Sequence, residues 1–198
     1  MKRLSFPSRR TLPPRSVAAP GFSLIELMVT IAIAAILAGV AAPQMTKMMN
    51  ANRIQSAASA LQGDMMYART EAIKRGTAVS LCPSSDGSSC LTANTWHSGW
   101  IVFTDTTGNG TVDGTDTVLK VRAAMTGGNT IAAAPQPAIN GVIFTREGFT
   151  SNLGASAVSF ALHTSDNYAS ATRCVMVTFG GSMSTVAKGT TVMGVTCA

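Results

Sequence analysis

The run Phe22 to Ala42, "FSLIELMVTIAIAAILAGVAA", constrains this chain more than any other stretch: 21 residues carry a single charge, Glu26. At 1.5 Å per residue a helix of that length covers roughly 30 Å, about the hydrocarbon thickness of a bilayer. It has no polar face, so it belongs in lipid or among other helices. The residues before it set an orientation. Residues 1–21 hold Lys2, Arg3, Arg9, Arg10 and Arg15 and no acid. A basic segment ahead of an apolar run stays on the cytoplasmic side and sends the other end outward. Pro7, Pro13, Pro14 and Pro20 interrupt that tail, which has little apolar surface to bury. A Sec signal peptide is the alternative. Against it, the apolar run exceeds the usual h-region, and no clean A-x-A site follows.

Charge is placed just as unevenly. The formal net charge of the 198-residue chain is +6, yet from Phe22 onward ten Lys/Arg face nine Asp/Glu. The basic balance is a property of the tail and is no nucleic-acid footprint of the body.

Beyond Pro43 the helical pattern resumes. Ile54, Ala58, Leu61, Met65, Ala68 and Ala72 are spaced 4, 3, 4, 3, 4, one apolar stripe on a helix. Polar residues such as Arg53, Gln55, Gln62, Asp64, Arg69 and Lys74 sit largely off that stripe. Lys74 and Arg75 followed by Gly76 suit a helix C-terminus. The reading is one helix from Phe22 to Arg75, kinked or locally melted near Pro43, with its second half packed on a soluble domain.

From residue 77 on, short β-rich runs replace helical periodicity: 77–82, 99–105, 117–123, 141–145, 157–162, 172–179 and 190–197. Gly, Asn, Asp and Ser clusters separate them. Val158, Phe160 and Leu162 show half-buried alternation, and 126–141 reads as a loop. The expected fold class is α+β: a long N-terminal helix packed on a C-terminal antiparallel, sandwich-like β domain over 76–198.

The four cysteines, Cys82, Cys90, Cys174 and Cys197, all lie beyond the apolar run, on the side expected outside the cytoplasm. An even count there points to disulfides. Three pairings are open. Cys82–Cys90, closing the seven-residue loop "PSSDGSS", and Cys174–Cys197, tying the last strand to an earlier one, are favoured. Zinc is the alternative, without C-x-x-C spacing to support it.

"GFSLIELMVTIAIAAILAGVAAP" resembles the processing site and N-terminal helix of type IV pilins and type II secretion pseudopilins: Gly21, Phe22, Glu26 four residues on, then an apolar helix with Pro43 at its end. The resemblance implies that 1–21 is a leader removed by a prepilin peptidase between Gly21 and Phe22, and that Phe22 is then N-methylated. A carboxylate in lipid costs several kcal/mol and usually has a partner. The amine of Phe22 on a neighbouring subunit is the obvious cation for Glu26, and the pair would set helix register in assembly. The other reading of Glu26 is a helix-terminal side chain snorkelling to the headgroups.

Further on, "YARTEAIKRGTAVSLCPSSDGSSC" and "WHSGWIVFTDTTGNGTVDGTD", with Trp96, Gly99, Trp100 and Phe103, look like the GspH/FimT group of minor pilins. The resemblance covers roughly residues 21–120 well and the remainder loosely. It implies a minor subunit that helps begin a type II secretion pseudopilus or type IV pilus. The implied partners are other pilins or pseudopilins, the prepilin peptidase, an inner-membrane assembly platform and, before assembly, membrane lipid. The implied location is the inner membrane, single-pass, with the β domain periplasmic, and then the fibre. The alternative function is a DNA-binding minor pilin in natural transformation. DNA-binding members carry a Gly-Arg-x-Arg-like motif in their C-terminal strands. The comparable stretch here, "FGGSMST" (179–185), has no Arg, which leaves Arg146, Arg173 and Lys188 as scattered cations.

Other constellations are weaker. Asp105, Asn109, Asp113 and Asp116 place oxygens for a calcium ion, but the spacing is not that of an EF-hand, and a Gly/Asp/Asn turn explains them equally well. His97 and His163 have no carboxylate orienter nearby in sequence, and no G-x-S-x-G, P-loop or H-E-x-x-H occurs, so no enzyme and no cofactor is expected. Trp96 and Trp100 fit a core or a stacking site.

Overall fold

The computed structural model describes residues 21–134, 140–153 and 157–198. Residues 1–20 of the leader expected over 1–21 lie outside the described residues, as do residues 135–139 of the loop expected over 126–141. The described residues divide into two compact units, one ending at Ala42 and the other beginning at Pro43.

One helix, α1 (Leu24–Arg75), contains both the apolar run and the amphipathic stripe. It starts two residues later than the sequence suggests and stays helical through position 43, where the sequence reading expects a kink or local melting. Its C-terminus follows the capping argument. Gly76 takes φ +66, which only glycine adopts freely, and its N–H donates to the Ala72 carbonyl.

Among the described residues ten strands come after it: β1 (Val79–Pro83), β2 (Trp100–Thr104), β3 (Val118–Arg122), β4 (Thr130–Ala134), β5 (Val142–Phe144), β6 (Ala157–His163), β7 (Arg173–Thr178), β8 (Met183–Ala187), β9 (Thr191–Val192) and β10 (Val195–Thr196). They form two four-stranded antiparallel sheets, ordered β3-β2-β1-β5 and β4-β6-β7-β8, and a small β9–β10 hairpin.

Three stretches differ from the sequence reading. β4 lies inside the expected loop. Its "TIAAA" has weak strand propensity, but β6 pairs along its whole length and Asn94 serves its outer edge. The Asn94 carboxamide donates to the Ala133 carbonyl and accepts from its N–H, both at 2.8 Å, as a neighbouring strand would. β8 forms where the sequence suggests no strand; β7 pairs with it across five residues. The single strand expected over 190–197 folds back on itself, with Met193 and Gly194 at φ 48 and 81, a turn that suits a tight hairpin.

The main core joins helix to both sheets. All six stripe residues are fully buried, against Val79 and Leu81 of β1, Trp100 and Val102 of β2, Phe160 and Leu162 of β6, and Val175 and Val177 of β7. Each such side chain stabilises by roughly 1.5–3 kcal/mol, except the alanines, which contribute less but allow close approach. Because strands alternate faces, the intervening residues point away from this core, and they too are covered. Cys82, Ile101 and Phe103 form one outer cluster, with Cys90, Val112 and Val118 against it. Cys174, Met176, Ala161 and Cys197 form another, under Val186, Val192 and Val195. The half-buried alternation expected at Val158, Phe160 and Leu162 is therefore a strand covered on both faces.

A disulfide sits in each outer cluster. Cys82 is bonded to Cys90 and Cys174 to Cys197. Asp86 organises the first loop, accepting from the N–H groups of Ser88 and Ser89 and from the hydroxyls of Ser84 and Ser89. Those bonds hold its carboxyl far below the usual carboxylate range.

Candidate functional site

The start of α1 is chemically simple. Phe22 precedes the helix and is 82% exposed. The Ser23 carbonyl accepts the N–H of Leu27 at 3.1 Å. Ser23 and Glu26 stand three apart at this helix start, the spacing of a capping box, and a carboxylate in the first turn is favoured by the helix dipole by about 0.3–1 kcal/mol. That spacing is a second signal in the sequence for Glu26. Among the described residues no cation is placed against it. From Leu24 to Val40 the large apolar side chains, Ile25, Leu27, Met28, Ile31 and Leu37 among them, stand exposed around the helix. The segment is long and apolar enough to cross a membrane.

Farther along α1 lies a contact that sequence patterning missed. Asp64 is 1% exposed. It accepts from Arg122 Nε at 3.0 Å and Nη2 at 3.1 Å, from Trp100 Nε1 at 3.0 Å, and pairs with Lys120 Nζ at 2.6 Å. Burial would raise this carboxyl. The hydrogen bonds of Arg122, Lys120 and Trp100, with the charge of Arg122, outweigh it and hold the group below its ordinary range. The carboxylate ties the helix to β2 and β3.

The calcium candidates are occupied by their own loop. Asp105, fully buried, accepts from Ser80 Oγ at 2.6 Å and from the N–H groups of Asn109 and Gly110 at 3.0 and 2.8 Å. Asn109 accepts from Thr111, Asp113 from Thr107 and Thr115, and Asp116 from Thr106 and the Asp113 N–H. Among the described residues no group of three or more His, Cys, Asp or Glu is placed to share a metal ion.

The three candidate DNA cations do not converge. Arg173 begins β7, where it pairs with Ala187, next to Lys188. Arg146 lies in the turn after β5, whose neighbour Thr150 bonds Phe179 beyond the opposite end of β7. Arg146 pairs with Glu147 at 2.6 Å, and Arg173 donates to the carbonyls of Ser170 and Thr172.

The aromatic and histidine candidates are built into the core or its margin. Trp96 is fully buried edge-on to Phe160, centroids 4.9 Å apart, and Trp100 is 2% exposed, which leaves neither free to stack on a ligand. Among the described residues neither His97 nor His163 bonds a carboxylate. The carbonyl of His97 accepts from Met125, and the ring of His163 lies 3.4 Å from Thr172 Oγ1. Burial, with the nearby charge of Lys188, lowers the pKa of His163.

The uncovered apolar half-helix and the disulfide-bonded two-sheet domain both have counterparts among known proteins. Residues 57–181 match the family described as type II transport protein GspH. The chain belongs to the GspH family. Residues 19–42 match the prokaryotic N-terminal methylation motif. Among solved structures, the type IV minor pilin FimU of Pseudomonas aeruginosa strain PAO1 is similar in two crystal forms. Each has 20% identity over 67% of this chain; they cover 87% and 91% of FimU, with TM-scores of 0.52 and 0.50. The minor pseudopilin EpsH of the Vibrio cholerae type 2 secretion system matches at 11% identity, over 68% of this chain and 97% of its own, with a TM-score of 0.47. At such identity the FimU likeness is one of fold. No curated protein matches. As a GspH-family member the chain is a minor pilin or pseudopilin, a structural subunit that associates with other pilins in a fibre of a type II secretion or type IV pilus system.

Proposed function

We propose that this GspH-family chain is cut by a prepilin peptidase between Gly21 and Phe22 and that the new Phe22 amine is N-methylated. Residues 22–42 then hold the subunit in the inner membrane, N-terminus cytoplasmic and β domain periplasmic, until an assembly platform moves it into the fibre. The observation that carries this reading is the bare half-helix: apolar side chains from Leu24 to Val40 exposed on every face, with one carboxylate, Glu26, among them. Such a surface is stable only in lipid or in a bundle of similar helices, and moving between the two exchanges one apolar contact for another. The carboxylate is the exception. In lipid it costs several kcal/mol unless paired, and the Phe22 amine of a neighbouring subunit neutralises it. Assembly thus gains direction from one ion pair.

Glu26→Ala tests the pairing. Mass spectrometry of the N-terminus should show unchanged cleavage and methylation, while the variant stays in the membrane fraction and is lost from sheared fibres. A fully incorporated, cleaved variant overturns the pairing. Deleting the chain and assaying secretion beside piliation identifies the fibre, since only one of the two should fail.

A further inference from the structure

Six arginines lie among the described residues, and five have acceptors. Arg69 bonds the Gly148 carbonyl, Arg75 bonds Glu71, Arg122 bonds Asp64, Arg146 bonds Glu147 and Arg173 bonds backbone carbonyls. Arg53, on α1, has none among the described residues. It lies beside the turn that leads from β3 into β4, where a cleft of about 360 Å³ opens against α1.

Several donors lie in that cleft or in the exposed turn beside it. A Cβ on Gly127 would lie 2.7 Å from Arg53 Nη1 and 3.9 Å from Asn129 Nδ2, so both side chains flank one point above a residue whose φ of +84 favours glycine. Asn129 is 3% exposed and lines the cleft. Its Oδ1 accepts from the Ser165 N–H, while its Nδ2 makes only a long 3.4 Å bond to the Thr126 carbonyl. The N–H groups of Gly127 and Gly128 have no acceptor among the described residues. Ala57, Ala124 and Met125 add an apolar wall.

We propose that this cleft binds a phosphate ester, with Arg53, Asn129 and the Gly127–Gly128 turn donating to the phosphate oxygens and the apolar wall taking the organic group. A guanidinium fork matches phosphate geometry, and backbone N–H groups in a glycine turn approach an oxyanion closely. Donors from three separate places suit oxygens spread tetrahedrally better than the two coplanar oxygens of a carboxylate. The ester is either the headgroup of a glycerophospholipid or a soluble glycerol phosphate. This site is independent of leader cleavage and of Glu26.

The test uses the full chain, ¹⁵N-labelled, in uncharged detergent micelles. sn-Glycerol 3-phosphate is titrated in one arm and phosphatidylglycerol doped into the micelles in the other, with sodium chloride at matched ionic strength as control. The amide signals of Gly127 and Gly128 should shift saturably, and Arg53→Gln, exposed and foldable, should weaken the affinity by roughly tenfold or more. Saturation in the lipid arm alone identifies the headgroup as the ligand; saturation in both identifies the phosphate ester itself. No saturable shift in either arm, the same shift with chloride, or an undiminished shift in Arg53→Gln overturns the proposal.

Discussion

Arg122 holds Asp64 through two parallel hydrogen bonds, Nε to Oδ2 at 3.0 Å and Nη2 to Oδ1 at 3.1 Å. The pair fastens an edge strand of the first sheet to the helix. Trp100 and Lys120 complete the ring of donors, so every strong interaction of this carboxylate crosses from helix to sheet.

Removing Asp64 should therefore loosen the helix on its sheet. A fully buried pair broken on one side costs about 3–5 kcal/mol. Here both cations are about two-fifths exposed, at 41% and 38%, and rehydrate when freed. The expected loss for Asp64→Ala is roughly 2–3 kcal/mol, measured as a lower urea midpoint with an unchanged m-value.

The same carboxylate gives an acid limb. Its folded pKa lies below the ordinary 3.8, so the folded chain binds the proton less readily than the unfolded chain. Its contribution is complete above about pH 3.8 and is lost as pH falls through the lower folded value. Asp64→Asn should flatten the stability profile as pH falls below about 3.8. An identical acid limb in the variant would assign the effect to other carboxylates.

The two disulfides should differ in weight. Their sequence separations are 8 and 23 residues. By loop entropy alone they contribute roughly 2.5 and 3.5 kcal/mol. The second also pins the β9–β10 hairpin over Met176. Cys174→Ser with Cys197→Ser should lower the thermal midpoint more than Cys82→Ser with Cys90→Ser. Amide exchange should show β10 opening first.

Two glycines give opposite expectations for alanine. Gly99 has φ +106, and a Cβ there would lie 2.5 Å from the Arg122 carbonyl oxygen and 2.9 Å from that of Ser84. Gly99→Ala forces backbone apart beside β3 and should cost more than about 2 kcal/mol. Gly63 sits in α1 with nothing near its Cβ position. Gly63→Ala should stabilise by about 0.5–1 kcal/mol. Thermal unfolding of both variants reads the contrast.

The apolar run, the stripe from Ile54 to Ala72 and the glycine cap were legible because helix geometry converts sequence spacing directly into a face. The β runs from 77–82 through 172–179 were legible for a similar reason: β-branched and aromatic residues between turn residues. β4 and β8 were not. Their residues are small or polar, and what makes them strands is the partner each finds, β6 with Asn94 for one and β7 for the other. Such pairing is non-local and leaves no local pattern.

By itself the sequence determined the half-helix that needs cover, the lone carboxylate within it and the β character of the residues beyond Gly76, since each depends on neighbours one to four residues away. Only the tertiary structure decided that Asp64 is buried, that the oxygens of the 105–116 loop serve its own turns, that Arg146 and Arg173 stand at opposite ends of a strand, and that Arg53 is left without an acceptor among the described residues. A charged side chain looks the same in sequence whether it meets water, a turn or a counter-charge. Which it meets is set by groups up to 58 residues away, as for Asp64 and Arg122, brought together only when the sheets close on the helix.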